Sequence, residues 1–409
     1  LRRHLRPLVL SGLTGLVLPG AAYAQFDLTT GAAAQYEHDS NVFALPKDTV
    51  LPAPFNTTNH GSAIETYTAS LEPTYQWSRE KLDLDLQGRD VRFDDYSALN
   101  HTEYALRANL TWASGAALDG TLGANRERRM VRFTDALSTQ LLIETENKGT
   151  AGLNVWLSPY WRIEANLMAR RDDSPRPGLP TLSLGEHSGE LGLKFIAVDN
   201  VSVGLTSEYL SGSYSGITPD TIGDPSGAPI DYHQVKTQLV ADRKISKDDL
   251  FEAAIGYTTR SLTTPTSDVA AVTGSLLYKR ELTGKTSIDV GVSREVNAYI
   301  STTSAELDDI AHLELEWHAT AKIDVEVGGA WNKSKFPGWV VVSGPINTPV
   351  ISYTERNDTA YESHLSLSYR PIKQITVRPF IRLENRTSNI DLYNYSATMY
   401  GVEIRGQVP

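Results

Sequence analysis

Apolar and polar residues alternate along this chain, and the alternation restarts again and again. Trp161-Arg162-Ile163-Glu164-Ala165-Asn166-Leu167 is one such run, and Ala311-His312-Leu313-Glu314-Leu315-Glu316-Trp317 is another. Ile323-Asp324-Val325-Glu326-Val327 repeats the pattern. Successive side chains of a strand point to opposite faces, so each run has one apolar and one ionised face. A soluble sandwich alternates too. Here, however, the polar face is heavily charged, and the apolar face often ends in an aromatic just before a turn. That combination predicts a transmembrane β-barrel, apolar toward lipid, polar toward a wet lumen, with aromatics at the interface.

The runs come in pairs joined by short polar turns. These are Ser78-Arg79-Glu80, Ala113-Ser114-Gly115, Ser158-Pro159-Tyr160, Val198-Asp199-Asn200, Lys244-Ile245-Ser246-Lys247, Leu282-Thr283-Gly284-Lys285, Thr320-Ala321-Lys322 and Pro371-Ile372-Lys373. Longer loops rich in Pro, Gly and Asn separate the pairs. The longest run from about Asp39 to Ser62, Arg128 to Glu144, Asp172 to Leu184, Tyr214 to Ile230 and Lys335 to Ser352. Short turns at one end and long loops at the other predict an outer-membrane barrel with periplasmic turns. Strands entering the short turns end at Trp77, Trp112, Trp156, Phe195, Tyr278, Trp317 and Tyr369, which predicts an interfacial girdle. The expected fold is an all-β transmembrane antiparallel barrel of about 18 strands, each near the ~9–11 residues a tilted strand needs to span. The first runs from Phe26 to Tyr36, the last carries Tyr400, Val402 and Ile404 outward, and both ends are periplasmic. Leu82, Leu84 and Leu86 are out of phase with Val91 and Phe93, which predicts a bulge near Arg89. Trp156 is out of phase with Leu153 and Val155.

Composition narrows the picture. With 40% hydrophobic residues and a mean hydropathy of −0.29, a bundle of membrane helices is excluded, but a closed barrel is not, because its lumen stays polar. No Cys occurs, which removes disulfide frameworks and thiolate metal sites and fits an oxidising export route. A net charge of −11 argues against a nucleic-acid partner. Arg2, Arg3 and Arg6 precede the apolar stretch Leu8 to Leu18 and the small-residue site Ala22-Tyr23-Ala24. That order predicts a signal peptide over residues 1–24, cut before Gln25, leaving residues 25–409 as one barrel domain in the bacterial outer membrane. Outer-membrane lipids and lipopolysaccharide are then its surroundings.

Parity along each strand selects the lumen-facing candidates. Asp289, Glu295, Glu314, Glu316, Asp324 and Glu326 form an acidic sector, and Arg378, Arg382, Glu384 and Arg386 a mostly basic ladder. Arg107, Arg162, Glu164, Arg170 and Lys194 also face inward. Two readings stay open: opposed charges orient water and solutes across the lumen, or they pair between neighbouring strands and fill it. Arg126 and Arg128 face outward near the extracellular rim, where they could meet lipopolysaccharide phosphates or turn into solvent. Glu362, His364 and Ser366 share one face, but no strained nucleophile turn accompanies them, so no catalytic residues are expected and the protein reads as a non-enzyme. His312 and His318 are about 20 Å apart along one strand, too far to share an ion. No metal-binding or cofactor motif is present.

Just after the first strand comes Tyr36-Glu37-His38-Asp39-Ser40-Asn41-Val42-Phe43. With Tyr104 to Trp112, Leu122 to Arg128 and Phe133, it resembles the EpsL-type outer-membrane proteins, β-barrel porins encoded in exopolysaccharide biosynthesis operons. The residues that carry the motif are Tyr36, Asp39, Asn41 and Phe43. Asp39 and Asn41 are also ordinary turn formers. The resemblance implies export of a surface polysaccharide, delivered by periplasmic export proteins. The alternatives are a general or solute-specific porin and an outer-membrane enzyme or adhesin. A porin should fold one long loop inward to form a constriction, and a polysaccharide conduit should have a lumen lined with aromatics and carboxylates and no strongly one-signed constriction. An adhesin should gather aromatics such as Phe55, Phe336 and Trp339 at loop tips.

Overall fold

A computed structural model describes residues 24–408 apart from 137–138, 176–180, 198–199, 217–229, 247–248, 264–267, 300–303, 338 and 344–349. The expected leader, residues 1–24, lies almost wholly outside the described residues. The first strands are β1 (Ala24–Asp39), β2 (Ser62–Trp77), β3 (Glu80–Phe93), β4 (His101–Ser114) and β5 (Leu118–Met130). A single helical turn, α1 (Phe133–Ala136), precedes β6 (Ile143–Ser158), β7 (Trp161–Ser174), β8 (Leu182–Ile196) and β9 (Val201–Ser215). There follow β10 (Ile230–Ser246), β11 (Asp249–Leu262), β12 (Val269–Thr283), β13 (Thr286–Tyr299), β14 (Ser304–Thr320) and β15 (Ile323–Phe336). A small hairpin, β16 (Trp339–Ser343) and β17 (Val350–Tyr353), stands apart from the wall. β18 (Arg356–Ile372), β19 (Ile375–Ser388) and β20 (Tyr395–Val408) complete the sheet.

Eighteen strands pair antiparallel with their neighbours, and β1 pairs with β20 as well as β2, so the sheet closes on itself. Closure leaves no open edge, the condition for β structure in lipid. Of the eight expected short turns, Val198, Asp199 and Lys247 from two lie outside the described residues. The other six are described in full and fall at one end, together with both ends of the barrel. Positive φ at Ser78 (55°) and Gly115 (66°) supplies the tight reversal in two of them. The barrel strands are 13 to 17 residues long, more than the span alone requires. The excess lies on the long-loop side, where the paired wall rises beyond the membrane.

The outer face is apolar. Leu167, Leu191, Leu239, Ile255, Leu313, Leu365 and Ile404 are all exposed on it. Six of the seven expected girdle residues point outward at the turn end, and Trp161 packs on Phe195 there (ring centroids 5.1 Å apart). A second belt of Tyr36, Tyr67, Tyr209, Tyr257, Tyr361 and Tyr400 is exposed toward the other end. Tyr36 follows Phe26 by ten residues, about 33 Å along the strand, or about 25 Å of height after a tilt of ~40°. That matches the apolar band of an outer-membrane β-barrel.

Trp156 departs from the expected girdle. It faces the lumen, where its Nε1 donates to Asp119 Oδ2 (2.7 Å) and Arg162 lies 5.0 Å over its ring. The bulge expected near Arg89 is also absent. β2 and β3 keep one register from Ile64↔Phe93 to Trp77↔Glu80. Val91 and Phe93 are out of phase because they point into the barrel, where folded loops cover them.

Candidate functional site

Every expected lumen residue projects from the inner face, and most are tied to a neighbour on an adjacent strand or two residues along. Arg162 pairs with Glu164, and Lys194 reaches Glu164 (3.4 Å) and Asp242 (3.3 Å). Arg170 gathers Glu146 (3.3 Å), Asp172 and Glu186 (3.5 Å). Arg107 contacts Asp85 (2.9 Å) and Glu127 (3.5 Å). The acidic sector and the basic ladder are not opposed across the lumen. β15, β18 and β19 are adjacent, so Arg378 meets Glu326 at 3.4 Å over Ser366. Asp324 accepts from Arg370, and Glu316 is 3.8 Å from His318. Arg382 pairs with Glu384 (3.3 Å), and Arg386 with Asp358 (3.0 Å). The arrangement is a wall of paired charges, with Glu295, Glu314 and Glu316 among its exposed carboxylates.

Ser366 Oγ accepts from Arg378 Nε (3.1 Å), while the His364 ring faces Glu326 (3.4 Å). Glu362, His364 and Ser366 therefore share a face without forming a nucleophile–base pair.

The extracellular mouth is narrowed by segments folded inward. Phe43 is 1% exposed at the centre of one cluster. Its ring lies 4.9 Å from Tyr96, 4.9 Å from Phe133 and 5.5 Å from Phe55. Ile64, Val91 and Phe93 form the inner wall on which this cluster sits. Beside it, α1 of the β5–β6 segment is tied to β19, where Arg386 donates to the Thr134 carbonyl (3.4 Å). Burial raises the Tyr96 hydroxyl pKa above its ordinary value, and that hydroxyl donates to the Asn59 carbonyl.

The Tyr36–Phe43 motif has a visible structural role here. Tyr36 faces lipid, whereas Asp39 and Asn41 turn the chain inward. The Asn41 backbone N–H donates to Asp39 Oδ1 (2.7 Å). The Asn41 amide donates to the carbonyls of Leu45 (2.9 Å) and Ser396 (3.1 Å) and accepts from the Leu45 N–H (3.2 Å). Asn41→Ala should loosen this loop by about 1–3 kcal/mol, because buried partners lose their hydrogen bonds. Limited proteolysis of the micellar protein should then cut within residues 40–61, and an unchanged digestion pattern would count against the role.

Two further inward features escaped the alternation pattern. Leu182, Leu184, Leu210, Tyr214, Ile230 and Tyr232 form an apolar cluster on the inside of β8–β10. β12 pairs with β13 only as far as Gly274↔Arg294, while β13 runs on to Tyr299 against β14 alone. The unpaired end leans inward, so Val296 packs on Ala271. Between it and the neighbouring wall β7–β12 lies a recess of about 390 Å³, lined by Arg170, Glu186, Glu208, Lys236, Arg260 and Glu295 among others. Arg260 is held there by Gln234 Oε1 (3.0 Å) and the Tyr232 ring (4.7 Å). Inward-facing apolar residues at the strand tops were the one sequence signal, legible as the phase break at Val91.

The loop-tip aromatics differ from expectation. Phe336 is fully buried, with Arg356 stacked 3.6 Å over its ring, and Phe55 joins the Phe43 cluster. The Trp339 side chain lies outside the description. Arg126 and Arg128 do face outward, held by the Tyr104 hydroxyl (3.2 Å) and by Thr102.

No protein-family model and no curated protein matches the chain, so the EpsL-type kinship stays a resemblance. Solved structures do resemble it. Pseudomonas aeruginosa OccK2 (OpdF), crystallised with glucuronate, aligns at 11% identity and TM-score 0.47, covering 94% of this chain and 98% of that one. P. aeruginosa OpdK with vanillate aligns at 10% identity and TM-score 0.44, covering 93% and 98%. The siderophore receptor PirA of Acinetobacter baumannii aligns at 9% identity and TM-score 0.44, covering 93% and 80%. Similarity this distant says nothing of cargo, which has to be read from the lumen itself.

Proposed function

We propose that the protein is a diffusion channel for small hydrophilic solutes, a porin. The observation that carries this reading is the narrowed mouth, where α1 and the β1–β2 loop fold inward; a separate charged recess of small-molecule size lies inside β7–β13. Eighteen strands are enough for an aqueous lumen, so the inward segments set the limit on what passes. Arg162, Arg170, Glu314, Glu316, Asp324, Glu326, Arg378, Arg382 and Arg386 line the path in this reading. Paired charges of both signs hold water and exchange hydrogen bonds weakly, which favours passage over retention. The reading assigns the chain no catalytic step.

Liposomes carrying the purified barrel should swell in small sugars, amino acids and organic acids and resist a branched polysaccharide. Absence of swelling in every small solute would sink the porin reading.

Polysaccharide export, with periplasmic proteins delivering the polymer, is the second reading, favoured by the Tyr36–Phe43 resemblance. A deletion strain separates the two. Loss of surface polymer would support export, and normal polymer with slowed uptake of small solutes would support the porin.

A further inference from the structure

We propose that Glu314, Glu326 and His364 form a binding site for a divalent transition-metal ion on the lumen wall. The three come from adjacent strands β14, β15 and β18, and one potential ligand atom from each lies within 4.8 Å of the others. The register brings them together. Glu314 is paired directly with Gly328, and Gly328 with His364, so the three positions form one row across the wall. Glu326 lies two residues below Gly328 on the same face.

Gly328 is what lets the donors meet. A Cβ there would stand 2.7 Å from His364 Nε2 and 3.1 Å from Glu314 Cγ. With no side chain in the way, the imidazole lies across β15 toward the carboxylates. A second observation points to a ligand. His364 Nε2 is buried and makes no hydrogen bond, although Glu326 Oε1 is only 3.4 Å away. That separation equals the ligand–ligand edge of about 3.4 Å expected around a tetrahedral ion with bonds of ~2.0–2.2 Å. The other oxygen of Glu326 is held by Arg378 (3.4 Å) and Ser366 (3.5 Å), which orients the carboxylate from behind. Glu314 is exposed to the lumen, so an ion would enter there and keep its remaining positions for water.

The neighbouring group Glu316, His318 and Asp324 is a useful contrast. Its atoms are equally close, but His318 Nδ1 already bonds Asp324 (2.8 Å), and Arg370 takes the other Asp324 oxygen. One imidazole and two carboxylates suit Zn²⁺, Ni²⁺ or Cu²⁺ rather than Ca²⁺ or Mg²⁺. The site is independent of which solute the channel passes.

The test is titration of the chelator-treated, detergent-solubilised barrel with Zn²⁺ by calorimetry, and with Cu²⁺ by electron paramagnetic resonance. One equivalent should bind, with Cu²⁺ coupled to a single imidazole nitrogen. His364→Gln and Glu314→Gln should each weaken binding about tenfold or more. Glu314 is exposed, so its variant keeps the test valid if the His364 variant misfolds. His318→Ala should leave binding unchanged. No saturable binding, binding indifferent to both Glu314→Gln and His364→Gln, or binding lost in the folded His318→Ala protein would overturn the proposal.

Discussion

Leu167→Arg is expected to destabilise the barrel by about 2–4 kcal/mol, because a guanidinium near the bilayer midplane loses its water. Leu167 is 62% exposed on the outer face, six residues above the girdle residue Trp161. Its paired neighbours are Ala151 and Gly189, so no outward side chain beside it offers a counter-charge. Ile163→Arg, on the same face but nearer the interface, should cost less. Asn166 points the other way and donates to Glu190 (2.9 Å), so Asn166→Arg places its charge in a wet, acidic surrounding and should be nearly neutral. Denaturant titration after refolding into lipid bilayers measures all three. Equal costs at Leu167 and Asn166 would refute the assigned faces.

Phe43→Ala should release the inward-folded mouth while leaving the wall intact. Truncating a buried Phe costs about 3–5 kcal/mol. Phe43 touches Phe55 of its own loop and Tyr96 and Phe133 of two others, so much of that cost falls on the docking of those three loops to each other. About 3 kcal/mol shifts a docked–undocked balance by more than a hundredfold. Single-channel conductance should rise and solute discrimination should fall. The barrel should still shift its electrophoretic mobility on heating, since closure rests on eighteen paired strands. Unchanged conductance in a correctly inserted variant would show that the cluster does not limit passage.

The sequence by itself determined the wall. A strand has a period of two, and lipid outside with water inside demands opposite chemistry on its two faces, so alternation set the strand number, the turn positions and the direction of most side chains, with Trp156 an exception. Ile163 outward and Arg162 inward followed from that rule. Where a strand rises above the membrane the demand lapses. There Val91 and Phe93 could face inward beneath loops from elsewhere in the chain, and Leu184 and Tyr232 against inward residues of neighbouring strands. Only the tertiary structure shows which loops those are. The contact between Thr134 and Arg386 joins residues 252 apart in sequence, and no local pattern encodes it. Charge pairing is of the same kind. Parity put Glu314, Glu326 and His364 on the inner face, but closure of the sheet decided that β14, β15 and β18 lie side by side. The register then set Gly328 between Glu314 and His364, because hydrogen bonding between strands fixes which residues stand opposite one another.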